Sequence, residues 1–526
     1  MKTRVLLVEF MTVDRFHRAL AFPFIKGWCR ERKVSVSWIR FGLPAAVRLE
    51  PGSSGIPLSP KDRASLDRAL RESGLTHVVF DRRPSKELTM LARGRLPQAR
   101  LGFLADDIAQ VPAPEPGQRL DPIGSGSQRD LARWLGVPEA RGCPRGPGNF
   151  FETRLPDYAW TPGNEAARTS QPLPFVICGR ECGYSRPLRG NPFFSGVALG
   201  RNAVKTGCAF CRRPRGEAAW KTLPLELARR QLRAIRDTHP SFPGRPAIRV
   251  CGEAPFFVID RFARMLLKLG LPPADFLFDA RADRLVRHQD RLLGALRCLE
   301  GSGHRIHICL VGIENFSAVE LERLNKGTQP AVNLAAVEIM LSLERDHPRT
   351  FSVREHGGLS LIVFNPWTTV KDLLINTATL RELKLADLCG KFFTARLRLY
   401  PELPLTARAR RDGLLRARYQ DPLLDTSKRN FYPDEVPWGF LHPEVEPVNR
   451  IVTRLQKDPA LSRDPLYRRV QAWLGDRSRA QEDLSCAADA VVAAAAGHPR
   501  GISVGRLLAA AREARLLPRQ EDLRRD

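Results

Sequence analysis

Short apolar runs and amphipathic helical stretches take turns through most of this sequence, and that alternation leaves few folds open. "RVLLVEF" (4–10) reads as a buried strand, and an amphipathic stretch through "RALAFPFIKGWCRERK" follows it. "VSVSWIRFG" (34–42) alternates with period two and stops at glycine, while "SPKDRASLDRALRESG" (59–74) carries a serine cap and a glycine stop. "THVVFD" (76–81) and "ARLGFLADD" (99–107) supply two more strands. Parallel neighbours need a crossover between them, so this order predicts a Rossmann-like, doubly wound sheet over residues 1–110. Such sheets bind ligands beyond the carboxyl ends of their strands.

Residues 111–172 change character. "VPAPEPGQRLDPIGSGSQ" is rich in Pro, Gly and Ser and reads as a linker, with "RDLARWLG" as one short helix within it. The alternation then resumes on a larger scale. "LPLELARRQLRAIRD" (223–237), "AIRVCGE" (247–253), "VIDRFARMLLKLG", "DFLFDARAD", "HQDRLLGALRCLEGSG" and "HRIHICLVGIE" alternate helix with strand. "AVNLAAVEIMLSLERD" (331–346), "LSLIVFNPW" (359–367), "VKDLLINTATLREL" and "TARLRLYP" (394–401) continue the series. About six βα units are too many for one mononucleotide-binding half, and predict a partial or full βα barrel of the TIM type over 173–415. Residues 416–526 read as a mainly helical extension that caps or docks, with stretches such as "VNRIVTRLQ" and "ISVGRLLAAAREARLL".

Two of the later strands carry polar residues on one side. Period two groups Arg305, His307 and Cys309 against Ile306, Ile308 and Leu310, and Arg396, Arg398 and Tyr400 against Leu397 and Leu399. A purely structural parallel sheet is apolar on both faces. A polar face therefore points to a lined pocket, or else to edge strands with a wet side.

The chain has 84 Lys+Arg against 57 Asp+Glu, a formal net charge of +27. The excess is mostly arginine spread from end to end, without the dense basic block that a nucleic-acid footprint would gather on one face. It reads as compositional bias. "MKTRVLLVEF" is too short an apolar run for a secretion signal, and no segment approaches the ~18 apolar residues that span a bilayer. The expectation is a cytoplasmic protein with reduced thiols, in which clustered cysteines mean metal or catalysis rather than bridges.

The densest cluster is "KTGCAFCR", with Cys208 and Cys211 two residues apart and Phe210 between them. Alone, the pair suits an iron–sulfur cluster or structural zinc equally. Its company narrows the choice. "CGE" (Cys251–Glu253) ends the second strand of this region and "VGIENFSAVELERLNKGT" (311–328) the fourth, and "VFNPWTTVKDLLIN" (363–376) and "RLRLYPELPLTARARRDGLL" (396–415) come later. In this order the set resembles the radical S-adenosylmethionine enzymes, specifically the branch with an N-terminal cobalamin (B12)-binding-type domain. The likeness covers about 173–415 by motif and the N-terminal region by pattern and position only.

The resemblance implies a 4Fe–4S cluster held by three cysteines, with one iron open to the amino and carboxylate groups of S-adenosylmethionine. A single electron, from an external donor such as flavodoxin or ferredoxin, would cleave the sulfonium to a 5′-deoxyadenosyl radical. That radical would abstract hydrogen from a small-molecule or peptide substrate, for methyl transfer or a radical rearrangement or oxidation. It also implies roles for residues here. Cys208 and Cys211 become cluster ligands, and Phe210 sits beside the adenine. Gly252 and Glu253 stand for the family's Gly-Gly-Glu element, which receives the amino group, with Cys251 in place of the first glycine. Glu314 reaches the ribose, and Arg281, or Arg284, pairs with the methionine carboxylate. A corrinoid would lie over the N-terminal strand ends. The Asp-x-His-x-x-Gly motif for a cobalt ligand is absent, since Asp14 and His17 have the wrong spacing.

One family position departs from the pattern. The first cysteine of CxxxCxxC would fall at Val204. Upstream, "PFVICGRECGYSRPLRGNPFF" offers Cys178 and Cys182, and Cys182 is the favoured third ligand, because Cys178 falls within or at the end of the preceding strand. Closing the 183–207 loop is physically easy, since each doubling of loop length costs only about 0.6 kcal/mol. Cys178 is the alternative, and Cys251 a third candidate. The rival readings are a four-cysteine zinc site on Cys178, Cys182, Cys208 and Cys211 in a nucleic-acid-binding protein, a barrel that has lost its cluster, and an RNA-modifying methylthiotransferase. The last normally brings a cysteine-bearing N-terminal domain, where this chain has only Cys29. Cys29, Cys143, Cys298, Cys309, Cys389 and Cys486 lack ligand spacing and read as core residues, although strand parity sets Cys309 beside His307.

Overall fold

The structure is a computed structural model. It describes residues 3–10, 21–41, 60–72, 74–81, 84, 86–105, 120–124, 128–137, 157, 173–176, 182–200, 204–211, 225–238, 245–251, 255–355, 358–383, 396–419, 435–443, 445, 446 and 449.

The first sheet is built from β1 (Arg4–Phe10), α1 (Ala21–Glu31), β2 (Ser35–Phe41), α2 (Pro60–Leu70), β3 (His77–Phe80), α3 (Lys86–Arg95), β4 (Arg100–Ala105), β5 (Leu120–Gly124) and α4 (Gln128–Leu135). Its strands are all parallel, in the order β2-β1-β3-β4-β5. Successive residues of β1 enter two different cores. Val5 and Leu7 pack with Phe22, Ile25 and Trp28, while Leu6 and Val8 pack with Leu66, Leu70 and Leu88. Burial of both faces is why this strand reads as an unbroken apolar run, and it makes the sheet doubly wound.

The fifth strand corrects the linker expectation for 111–172, because β5 lies inside that stretch, followed by α4, the short helix expected at "RDLARWLG". Its sequence, "LDPIG", hides it: Pro122 and Gly124 are poor strand formers, tolerated because β5 is the edge of the sheet. Asp121 on β5 accepts from Arg100 Nη2 (2.9 Å) and Trp134 Nε1 (2.8 Å), fastening α4 to the edge. A side chain at Gly102 would collide with Ile123 and Trp134, so a glycine lets both pack onto β4.

The second parallel sheet comprises β6 (Leu173–Val176), α5 (Leu225–Thr238), β7 (Ala247–Cys251), α6 (Ile259–Leu269), β8 (Asp275–Arg281), α7 (Ala282–Arg287), α8 (Gln289–Leu299) and β9 (Arg305–Glu314). It continues with α9 (Ala318–Arg323), α10 (Pro330–Asp346), β10 (Phe351–Ser352), β11 (Gly358–Leu361), α11 (Val370–Glu382) and α12 (Pro404–Arg411). The order is β10-β9-β8-β7-β6, with β11 pairing the later half of β9. One face is apolar: Ile248, Val250, Phe276, Phe278, Ile306 and Ile308 share a core with Phe262, Leu266, Leu296 and Met340 of the helices. The opposite face carries Arg249, Asp275, Asp279, Arg281, Arg305 and His307, as the alternation in β9 foretold.

That alternation fails at one residue. Phe278 pairs with Ile308 but Asp279 pairs with Leu310, so Cys309 is an extra residue in β9. The bulge moves Leu310 onto the polar face with Gly312 and Glu314, whereas the sequence grouped it with Ile306 and Ile308. Leu310 is consequently 39% exposed, between strand residues that are almost all buried.

Residues 396–399 form isolated bridges, Phe364 with Arg396 and Leu399 with Val436, where a strand was expected. The predicted split holds only in part: Leu397 and Leu399 are core, but Tyr400 is buried as well, and the Arg396 guanidinium lies between the rings of Tyr419 (4.1 Å) and Trp438 (4.2 Å). Most of the helical extension expected over 416–526 lies outside the described residues. Among those described, no helix is long and apolar enough to cross a membrane.

Candidate functional site

The cysteine loop is organised by a turn more than a hundred residues downstream. Pro187 bridges Thr206 in antiparallel fashion, the Leu188 amide donates to the Lys205 carbonyl (3.1 Å), and the Gly207 amide donates to the Arg186 carbonyl (2.7 Å). The chain between Cys182 and Cys208 is thereby folded back on itself. Against this ribbon sits the turn after α9. Asn325, fully buried with φ 49°, donates from Nδ2 to the carbonyls of Gly207 (2.8 Å) and Arg186 (3.2 Å) and accepts from Asn191 Nδ2 (3.1 Å). The Ala209 amide donates to the Leu324 carbonyl (2.9 Å), and the Tyr184 hydroxyl to that of Asn325 (2.9 Å). Arg186 forks onto both oxygens of Glu322 (2.9 and 2.6 Å). At Gly327, φ is 68° and a side chain would overlap the Tyr184 ring, so this position requires glycine on both counts.

Of the three thiols favoured as ligands, Cys208 is buried and Cys182 and Cys211 are half-buried. The Cys211 amide donates to the Cys208 carbonyl (3.3 Å), closing the tight turn that CxxC spacing produces. Arg281, the last residue of β8, donates from Nη1 to the Cys208 sulfur (3.4 Å), from Nη2 to the Lys326 carbonyl (3.0 Å) and from Nε to Asp283 (2.9 Å). Its guanidinium stacks on Tyr184 at 4.4 Å. Burial works against the charge on Arg281, but Cys208 and Asp283 outweigh it, and its pKa rises above the ordinary value. Arg284 is shifted the other way, down, by burial and by Arg287 and Arg281; Asp283 and Cys182 oppose the shift. The Tyr184 phenol is pushed up to about 12 by burial and by Cys208. Cys208 thus faces a guanidinium and Cys182 lies within electrostatic reach of another, surroundings suited to a negatively charged thiolate centre. Among the described residues, no group of three His, Cys, Asp or Glu side chains is gathered at metal-holding distance.

Above the polar face, Glu314 ends β9 with φ 64° and pairs through Oε1 with Lys326 Nζ at 2.8 Å, both side chains being buried. Ser360 Oγ donates to its other oxygen (3.2 Å), and Lys326 Nζ lies 5.6 Å from the centre of the Phe210 ring. A side chain at Gly312 would collide with Glu314 and Lys326, so the glycine leaves room for the ion pair. A buried polar network fixes the chain just beyond Glu314. Asn333 Nδ2 donates to the carbonyls of Ile313 and Asn315 (both 2.9 Å), and Asn376 Oδ1 accepts from the Phe316 amide (2.9 Å). Glu320 accepts from Arg323 Nη1 (2.8 Å) and from Asn365, and burial pushes its pKa up to about 7.

The structure therefore brings Cys208, Phe210, Arg281 and Glu314 to one end of the second sheet, together with Lys326, Tyr184 and Asn325, which sequence reasoning did not single out. "LNKGT" carried the only signal, an Asn and a Gly flanking a lysine immediately after a helix. Cys178, Gly252 and Glu253 lie outside the described residues, as do Asp14 and His17.

No protein-family model matches the chain, and no curated protein matches it in sequence. Solved structures match it in fold. The cobalamin-dependent S-adenosylmethionine radical enzyme OxsB, with aqua-cobalamin and S-adenosylmethionine bound, aligns at TM-score 0.60 and 14% identity, covering 93% of this chain and 73% of that one. This chain shares its fold. TsrM, a radical S-adenosylmethionine methyltransferase from Kitasatospora setae with cobalamin and a 4Fe-4S cluster bound, aligns at TM-score 0.48 and 11% identity, covering 93% and 99%.

Proposed function

We propose that this chain is a radical S-adenosylmethionine enzyme whose second sheet is a partial βα barrel and whose first sheet is a corrinoid-binding-type domain. The observation that carries the reading is the joining of Cys208 to Arg281 at the carboxyl end of β8, beside Phe210 and the Lys326–Glu314 pair. Cysteine, aromatic, basic and acidic groups meet there in the fold of such an enzyme.

Cys208, Cys211 and Cys182 would hold the cluster, with Cys178 as the alternative third ligand. The chemistry such a cluster supplies once bound is one-electron reductive cleavage of S-adenosylmethionine. This chain's own residues do the rest. Arg281 holds positive charge and an N–H donor on the Cys208 sulfur, and its remaining N–H groups are available to the cosubstrate carboxylate. Phe210 offers a flat apolar face to the adenine. Glu314, held by Lys326 and Ser360, presents an acceptor for ribose hydroxyls. Gly252 and Glu253 remain the proposed amino-group site. The order β2-β1-β3-β4-β5 supports a corrinoid over the strand ends of the first sheet, which extends to Gly124, beyond the 1–110 boundary. A small-molecule or peptide substrate, a flavodoxin- or ferredoxin-like electron donor and a cytoplasmic setting complete the proposal.

The deciding experiment is anaerobic iron–sulfur reconstitution followed by a 5′-deoxyadenosine assay. A reducible 4Fe–4S signal with cosubstrate cleavage supports the reading. Stoichiometric zinc, with neither signal nor cleavage, sinks it.

A further inference from the structure

The polar face of the second sheet has one rung unlike the others. Register places Asp279 of β8 beside Leu310 of β9, and Leu310 beside Gly358 of β11. The next rung toward the carboxyl ends is Arg281, Gly312 and Ser360, which belongs to the site already described. Two residues along a strand separate the rungs, roughly 6–7 Å. Toward the amino ends the face is closed by the ion pairs Arg245 to Asp275 (3.4 Å) and Arg305 to Glu355 (2.6 Å), with His307 Nε2 lying 3.2 Å from the Asp275 carboxylate.

Between these layers the rung is exposed at Leu310, beside an Asp279 side chain that is only 20% exposed. Leu310 is 39% exposed while Val311 and Ile313, its neighbours on the other face, are fully buried. Gly358 contributes no side chain. Asp279 is bound on one oxygen by Arg249, itself only 6% exposed, and its Oδ1 is buried without a hydrogen-bond partner. The bulge at Cys309 creates this arrangement, since without it Leu310 would lie in the helical core.

We propose that the rung Asp279–Leu310–Gly358 receives the substrate, and that the substrate presents there a neutral N–H or O–H donor carried on an apolar body. This rests on the radical reading only for the identity of the ligand as substrate. Leu310 offers apolar surface that gains by being covered. Oδ1 of Asp279 is an acceptor in want of a donor. Arg249 already neutralises the Asp279 charge, so a cationic ligand would bring an uncompensated charge into a poorly hydrated place. An anion would meet a carboxylate oxygen head-on. Asp279 and Leu310 are thus specificity residues, one rung below the groups that hold the cosubstrate.

The test uses two probes of one shape, phenylacetamide and phenylacetate, titrated into the full chain and followed by ligand-observed NMR. The probes need neither iron nor cosubstrate, so failure here is distinguishable from failure of reconstitution. The amide is expected to bind about tenfold more tightly than the anion, the difference of one charge-assisted hydrogen bond. Asp279→Asn frees Arg249 from its carboxylate and should reverse the preference, a change that general loosening would not produce. If that variant does not fold, Leu310→Gln must weaken the amide several-fold. Equal binding of the two probes, binding of neither, or a preference unmoved by both substitutions would overturn the proposal.

Discussion

Glu320 is a buried carboxyl that titrates inside the working pH range, and it makes the chain beyond Glu314 pH-sensitive. It is 0% exposed, accepts from Arg323 and Asn365, and has a pKa pushed up to about 7 from the ordinary 4.5, by burial first, with Arg323 opposing. Between those two values the folded protein keeps a proton that the unfolded chain has released. The contribution of Glu320 to stability therefore falls as pH rises from 4.5 to about 7, and is level above it. At 1.36 kcal/mol for each pH unit, the whole span is about 3 kcal/mol. Hydrogen exchange of peptides covering 315–326, corrected for the intrinsic rate, should lose protection about tenfold for each unit that pH rises toward 7. Glu320→Gln should abolish this dependence, while costing about 1 kcal/mol because its amide would face that of Asn365. His288 and His304 have pKa values lowered chiefly by burial, so their contribution is lost as pH falls, with opposite sign and in both proteins alike. Parallel pH profiles for wild type and Glu320→Gln would refute the reasoning.

Three further outcomes follow from the site. Asn325→Ala removes three side-chain hydrogen bonds and leaves alanine at φ 49°, a loss of about 3–4 kcal/mol; exchange in 182–211 should rise, with Asn325→Gly less affected than Asn325→Ala. Arg281→Lys keeps the charge but not the three-way fork, so the reconstituted protein should lose iron about tenfold faster on desalting. Cys182→Ala should abolish the iron–sulfur absorbance while Cys178→Ala retains it; the reverse pattern would transfer the third-ligand role to Cys178.

What could be read from the sequence was whatever repeats locally. β1 to β4 and the helices between them follow from apolar period and turn residues, because each run is buried by its immediate neighbours. β5 was missed because Pro122 and Gly124 suit an edge strand and a linker equally. The bulge at Cys309 was invisible for another reason: the pattern "HRIHICL" alternates perfectly, and only pairing with β8 reveals the extra residue. At the site, Cys208, Phe210, Arg281 and Glu314 stood out through motif order, which is a property of the chain. The contact of Arg281 with Cys208 and the role of Asn325 depend on residues 73 to 139 positions apart, and no local pattern encodes them.

The clasp between the cysteine loop and the Leu324–Gly327 turn has a consequence for biosynthesis. The thiols leave the ribosome long before the residues that shape their loop. Until β9, α9 and the turn have been made, the Gly207 and Arg186 carbonyls have no partner in Asn325, and Cys208 has no Arg281 beside it. On the proposed reading, metal loading on the growing chain would therefore meet an unformed receptacle, and cluster delivery would belong after the turn has docked. The thiols would then have to stay reduced and unclaimed during that interval.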